Sequence, residues 1–149
     1  SNNPTVFSPK SSVFLHIPFA EYKTAWDEYV ANGYSDTENV KWNYGVGGEK
    51  DPVVYHGIYE DNFFETMIEM NSTDSVFCGH DHVNDWAAKY EGIWLVYNQM
   101  GSYNAYSLGD FRGTSRPEEE WQQGVTLTTI HEDCSIDLKQ SFNSRYLKK

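Results

Sequence analysis

Short apolar runs along the chain alternate with longer segments in which apolar residues recur at helical spacing. The runs at 13–15, 75–78 and 93–97 are short and rich in apolar residues, which predicts buried strands. The segments 19–32 and 59–70 carry aromatic and aliphatic residues three or four positions apart, which predicts two amphipathic helices. Gly33 is placed to end the first helix in a left-handed conformation.

The remaining pattern predicts loops and a hairpin. Residues 34–57 and 98–117 are punctuated by glycine and proline, and both are predicted to be long loops. Alternation of apolar and polar residues predicts two strands, at 125–130 and 135–140, joined by a turn. The order strand, helix, loop, helix, strand, strand, hairpin is typical of an α+β fold.

Composition narrows the classes of protein that the chain can belong to. With 149 residues, of which 39% are apolar and 22% charged, it is long enough for one compact domain with a core. A formal net charge of −11 without a basic stripe argues against nucleic-acid binding. No apolar run is long enough to predict a transmembrane helix. The same acidity would repel a phosphate substrate unless bound cations reversed the local field.

The two cysteines, Cys78 and Cys134, do not form a CxxC pair, so a zinc ribbon is not predicted. They could pair in an oxidising compartment or remain as two buried thiols, and the sequence leaves both readings open.

Three of the five histidines follow predicted strands. His16 comes directly after the first apolar run, whereas His80 and His82 follow the second run after Gly79. If those two strands are neighbours in one sheet, the three imidazoles meet at one edge. Imidazole is the commonest metal ligand, so the pattern favours a metal site, although surface or capping histidines are the alternative.

The other two histidines lack this context. His56 precedes a predicted helix, and we interpret it as structural. His131 lies beside an acidic hairpin turn, and we expect it to be solvated.

Two stretches resemble a known family. Residues 76–85 (VFCGHDHVND) are similar to the last metal motif of calcineurin-like metallophosphoesterases, in the extended form of a subgroup related to purple acid phosphatases. Residues 14–18 (FLHIP), with a following Glu-Tyr, resemble the preceding motif of that subgroup, and residues 92–116 resemble its tail. The resemblance extends from about residue 12 to residue 130.

The resemblance implies a phosphoester hydrolase with a dinuclear metal site. His16 and His80 resemble ligands of one metal ion, and His82 resembles a ligand of its neighbour. The expected cofactors are two divalent or trivalent ions of Fe, Zn or Mn, and the expected substrate is a phosphoester. Neither the substrate nor the metal is identified further by the sequence.

The chain also departs from the family pattern. The upstream motifs D-x-H, G-D-x-x-[DN] and G-N-H-[DE], which supply the remaining ligands, are absent. Residues 1–149 are therefore predicted to be the C-terminal part of a single catalytic domain. They would form half of a four-layer αββα sandwich, with a mixed sheet and flanking helices.

The missing N-terminal half is the expected partner, and the chain alone is expected to be inactive. Without the N-terminal half, one apolar face of the sheet is predicted to be exposed. The N-terminal half, or a second copy of the chain in a homodimer, would cover this face.

A second functional reading does not involve catalysis. Trp42, Tyr44, Tyr103 and Tyr106 lie in predicted loops, where aromatic side chains could form a ligand- or carbohydrate-binding module. The compartment is left open, and only the resemblance favours a secreted or periplasmic location.

Overall fold

The computed structural model describes residues 10–59, 61–101, 106 and 123–142. In chain order, the elements in these ranges are β1 (Ser11–Phe14), α1 (Ala20–Ala31), β2 (Val40–Tyr44), α2 (Phe63–Met70), β3 (Thr73–Cys78), β4 (Ala87–Tyr90), β5 (Ile93–Tyr97), β6 (Gly124–Ile130) and β7 (Ile136–Phe142).

The first five strands form one mixed sheet in the order β1-β3-β5-β4-β2. Strands β1, β3 and β5 are parallel to one another, whereas β4 and β2 are added antiparallel at the far side. Strands β6 and β7 pair separately as the predicted hairpin. The prediction of an α+β fold with a mixed sheet and helices is confirmed.

The helices cover one face of the five-stranded sheet. Tyr22 of α1 and Phe64 of α2 are buried in a cluster with Val76, Leu95 and Tyr97 of the central strands. Tyr22 also donates a hydrogen bond from its hydroxyl to the carbonyl of Val76 at 2.8 Å, which fixes α1 against the middle of the sheet.

The opposite face of the sheet carries a smaller apolar cluster. Phe77, Ala87 and Val96 are buried there, and Leu138 of the hairpin packs against them. Because β5 and the second half of β3 are buried on both faces, their sequences are continuous apolar runs rather than alternating ones.

At the edge of this second face, Phe14 of β1 is 74% exposed and stacks on Phe77 with ring centroids 4.9 Å apart. The face that we expected to be exposed is therefore covered over Phe77, Ala87 and Val96, and it is open at Phe14.

Two strands were missed by the sequence analysis. The predicted loop over 34–57 contains β2, although Val40-Lys41-Trp42-Asn43-Tyr44 alternates apolar and polar residues as a half-buried strand does. Strand β4 gave a weaker signal because alanine has a low β propensity. It is joined to β5 by Glu91 and Gly92, whose φ angles of 47° and 89° suit a two-residue hairpin turn.

The helix ends follow local chemistry. Gly33 has a φ of 68°, and its N–H donates to the carbonyl of Val30 at 2.9 Å, so the predicted left-handed end of α1 is confirmed. Helix α2 begins at Phe63, four residues later than predicted, where Asp61 Oδ1 accepts the Phe63 N–H at 2.9 Å.

The cysteines are free thiols, Cys78 buried and Cys134 part-buried. Most of the predicted loop over 98–117 lies outside the described residues. Neither described helix combines the length and apolarity needed to span a membrane.

Candidate metal centre

A pocket of about 500 Å³ lies at the carboxyl ends of the three parallel strands, a common position for ligand sites in open sheets. It is lined by residues 14–16 after β1, 77–82 after β3 and 98–100 after β5. His16, His80 and His82 all belong to this lining, so the fold brings the three predicted ligands to one place.

The backbone pairing between β1 and β3 continues into the pocket. Leu15 N–H donates to the Phe77 carbonyl at 3.0 Å, and Gly79 N–H donates to the His16 carbonyl at 3.1 Å. As a result the rings of His16 and His80 lie edge to face with centroids 5.2 Å apart, although 63 residues separate them in the chain.

A tight turn carries the second and third histidines. His80 has a φ of 69°, a left-handed backbone conformation that few residues other than glycine adopt. The Asp81 N–H donates to the Gly79 carbonyl at 2.9 Å, and the Asn84 N–H donates to the Asp81 carbonyl at 3.2 Å. These two bonds make the backbone change direction within a few residues, so both His80 and His82 stay in the pocket lining.

His82 has a buried nitrogen that lacks a partner. Within the described part of the chain, its Nδ1 has no hydrogen-bond partner, and the same is true of both amide atoms of Gln99, another pocket residue. Buried polar atoms are rarely left without a partner, and those that are often contact an ion or ligand. Imidazole nitrogen is a common metal ligand, and Nδ1 of His82 is a ring nitrogen at the pocket that no hydrogen bond in the described structure occupies.

Asp81, which stands between His80 and His82 in sequence, has a structural role. Its carboxylate is only 4% exposed and accepts hydrogen bonds from Tyr97 Oη at 2.6 Å, Tyr55 N at 3.0 Å and Asn84 Nδ2 at 3.2 Å. Burial raises the pKa of Tyr97 far above its ordinary value, which keeps the hydroxyl protonated as a donor. Asp81 therefore fixes the turn that carries the histidines.

Asn84 fastens the long segment 45–56 to this turn. Its Oδ1 accepts the N–H groups of Gly48 and Glu49 at 3.0 and 3.3 Å, while its Nδ2 donates to the Val53 carbonyl at 2.7 Å.

Asp85 holds the start of the same segment. Its Oδ1 accepts the Val46 N–H at 3.0 Å. A Cβ on Gly45 would lie 2.2 Å from the Asp85 carbonyl oxygen, so this approach requires glycine. Asn84 and Asp85 thus attach the segment 45–56 to the turn that carries His80 and His82, a role that sequence spacing did not indicate.

The two remaining histidines lie away from the pocket lining. His56 is part-buried, and its Nδ1 is 2.7 Å from the carbonyl oxygen of the adjacent Gly57. His131 is exposed as expected, and its Nε2 lies 2.8 Å from Asp137 Oδ2.

The aromatic residues do not form a common platform among the described residues. Trp42 lies in β2, not in a loop, and stacks on Tyr29 with ring centroids 4.1 Å apart. Tyr44 is part-buried in the same strand, and burial raises its pKa to about 12. Tyr106 packs on His82, while Tyr103 lies outside the described residues. The reading as an aromatic binding module gains no support from Trp42 or Tyr44.

No group of three or more His, Cys, Asp and Glu side chains within the described ranges is arranged to hold a metal ion by itself. His16, His80 and His82 would thus need further ligands from elsewhere.

Comparison with known proteins gives matches among phosphatases. The chain is 25% identical to the probable inactive purple acid phosphatase 28 of Arabidopsis thaliana, over 73% of this chain and 23% of that protein. It is 34% identical to the probable inactive purple acid phosphatase 14 of the same plant, over 63% and 20%. It is 29% identical to the phosphatase DCR2 of Saccharomyces cerevisiae, over 81% and 20%. No protein-family profile and no solved structure matches the chain.

The chain spans about a fifth of the length of these relatives. The aligned share of this chain is large, whereas most of each relative lies beyond the match.

Proposed function

Because this chain is homologous to purple acid phosphatase-like proteins, which are calcineurin-like metallophosphoesterases, we propose that it forms part of a metal-dependent phosphoester hydrolase. His16, His80 and His82 would be its contribution to a dinuclear site of Fe, Zn or Mn ions. The observation that carries this proposal is the meeting of the three imidazoles in one pocket at the ends of parallel strands.

The positions of the histidines are consistent with two neighbouring ions. The rings of His16 and His80 are close enough to share one ion, and the buried Nδ1 of His82 offers a donor for the other. Bound metal ions would neutralise the charge on the phosphate and activate the attacking water. The protein would supply imidazole ligands that directly follow strands, which reduces the entropic cost of ordering them.

Charge also favours cation binding. A chain with a net charge of −11 repels a phosphoester, and two bound cations at the pocket would reverse the field where the substrate enters. The pocket volume of about 500 Å³ falls within the range of small-molecule sites.

The remaining ligands would come from outside the described residues. The missing N-terminal half of the same domain is our proposed source, and the edge strand β1 with its exposed Phe14 is where that half would attach. A homodimer that covers the same edge is the alternative partner. The isolated chain would then be inactive.

The decisive experiment measures hydrolysis of an aryl phosphate by the intact protein that contains this chain. We expect activity that requires a metal and is abolished by a chelator. His80→Ala removes a proposed ligand. Loss of a residue that only hydrogen-bonds to a metal ligand lowers activity by roughly 10–100-fold. We therefore expect kcat/KM of His80→Ala to fall by more than this.

His131→Ala is the matched control, because this histidine is exposed on the hairpin and pairs with Asp137. Activity that survives both the chelator and His80→Ala would contradict the proposal. Two of the relatives carry the word inactive in their names. An intact protein that binds metal but does not hydrolyse the substrate would contradict the proposed activity and support only the proposed metal site.

A further inference from the structure

Tyr106 lies directly against one of the proposed ligands. Its ring packs on the His82 imidazole with centroids 4.8 Å apart and planes inclined by 34°. The sequence indicates Tyr106 only as one of several aromatic residues in predicted loops, and it does not pair this residue with His82.

Two further contacts hold Tyr106 in place. Its hydroxyl donates a hydrogen bond to Glu49 Oε1 at 2.7 Å, and Glu49 belongs to the segment that Asn84 fastens. Burial and the bond to Glu49 raise the pKa of Tyr106 to about 12, and a hydrogen bond from the His82 backbone opposes the rise. The hydroxyl of Tyr106 thus contacts both Glu49 and the backbone of His82, and its ring covers the His82 side chain.

His82 needs such support. Its Nδ1 is buried and lacks a hydrogen-bond partner in the described structure, so no bond through that atom orients the ring. Histidines that bind metals are usually oriented by a hydrogen bond from their other ring N–H. Packing by Tyr106 restrains the His82 ring in a different way and leaves Nδ1 unpaired.

We propose that Tyr106, anchored by Glu49, is a positioning residue that holds the His82 ring with Nδ1 available to a metal ion. The inference rests on the proposed function, because it assigns His82 to the metal. Without Tyr106 the ring would have to be ordered at the moment of binding, and the affinity for the metal would fall.

The test measures Zn²⁺ binding alone, by competition with a chromophoric chelator, in the intact protein that contains this chain. Tyr106→Ala should weaken binding at the site of His82 by about 10-fold, the lower end of the range for residues that support metal ligands. Tyr106→Phe keeps the ring and loses only the hydroxyl, so it should restore much of that loss. Glu49→Ala, which removes the acceptor of the hydroxyl, should behave like Tyr106→Phe.

Two comparisons make the result specific. Tyr59→Ala is the control, because Tyr59 is 86% exposed and its loss should leave Zn²⁺ affinity unchanged. Unchanged affinity in both Tyr106→Ala and Tyr106→Phe, together with a loss in His82→Ala, would overturn this inference alone. Unchanged affinity in His82→Ala would overturn it along with the metal-ligand role of His82. If Tyr106→Ala does not fold, Tyr106→Leu takes its place, because it removes the aromatic ring and keeps an apolar side chain: a loss of Zn²⁺ affinity supports the inference and unchanged affinity overturns it.

Discussion

Asp81 is the residue on which the geometry of the two neighbouring histidines depends most directly. Its buried carboxylate accepts hydrogen bonds from Tyr55, Asn84 and Tyr97, which belong to three separate parts of the chain. The convergence of His16, His80 and His82 was predictable, because residues that follow parallel strands meet at one edge. The hydrogen bonds from Tyr55 and Tyr97 to Asp81 were not predictable, because both residues come from segments whose paths depend on tertiary packing.

Tyr97→Phe tests the role of Asp81 without altering the pocket lining. The substitution removes one donor from a buried carboxylate, so we expect it to lower the free energy of unfolding by about 1–3 kcal/mol. Urea denaturation measures the change. Tyr34→Phe is the control, because Tyr34 is 62% exposed and such surface changes stay within about 0.5 kcal/mol. Equal stability of the two variants would show that Asp81 does not depend on this donor.

At the scale of elements, the segment 45–56 is attached to the turn after β3 rather than being a free loop. The isolated bridge between Gly47 and Asn84 and the bonds to Asp85 attach it to the turn after β3. The sequence predicted the central strands and both helices because their patterns are long or strongly apolar. It missed β2, whose alternation is short and lies beside a run of glycines. It missed β4 because two of its four residues are alanine.

Gly45→Ala tests the attachment of this segment. Gly45 has a φ of 93°, and an added Cβ would lie 2.2 Å from the Asp85 carbonyl oxygen and 2.5 Å from the Trp86 Cα. Since both contacts are with backbone, they cannot be relieved by a rotamer change, and we expect a loss of stability of more than about 3 kcal/mol.

Thermal or urea unfolding measures this loss, with Gly57→Ala as the matched control. A Cβ on Gly57 would meet nothing within 4 Å, so that variant should stay close to the parent protein. The packing of Gly45 against Asp85 would be refuted by a Gly45→Ala variant as stable as Gly57→Ala.

At the scale of the whole molecule, the net negative charge destabilises the folded state by self-repulsion and also repels a phosphate ligand. There are 22 Asp and Glu residues against 11 Lys and Arg. Glu21 of α1 lines a pocket with Glu65 and Glu69 of α2 and with Glu91 of the β4–β5 turn. Burial raises the pKa of Glu21, and repulsion from Glu65 and Asp61 adds to the rise. The location of this pocket follows from the packing of α1, α2 and the turn, which a sequence pattern does not contain.

Glu21→Gln should therefore stabilise the protein in a pH-dependent way. Because the folded-state pKa of Glu21 lies above the unfolded one, the native state loses stability as the pH rises through that interval, and the loss persists at neutral pH. The glutamine variant should be more stable than the parent at pH 7. The difference should vanish below about pH 4, where the carboxyl group is protonated in both states.

Urea denaturation at the two pH values makes the comparison, and Glu38→Gln serves as the control because Glu38 is exposed. The same stability difference at both pH values would contradict the assigned cause.

The order of the strands is a property of the whole molecule that patterning alone did not provide. Apolar runs identified the strands around β1, β3 and β5, but the adjacency of the first two was only a condition of the predicted histidine site, and the structure supplies it. Within the described residues no further His, Cys, Asp or Glu completes a group that could hold a metal ion, so the described part cannot identify the other ligands of the proposed site.

The backbone at position 80 favours a different residue from the one that the proposed metal site needs. A left-handed φ of 69° favours glycine, yet the position carries a histidine. If His80 is a metal ligand, as we propose, folding stability and metal binding favour different residues there. A lineage that no longer needs the metal could replace this histidine with glycine and relax its backbone in the same step.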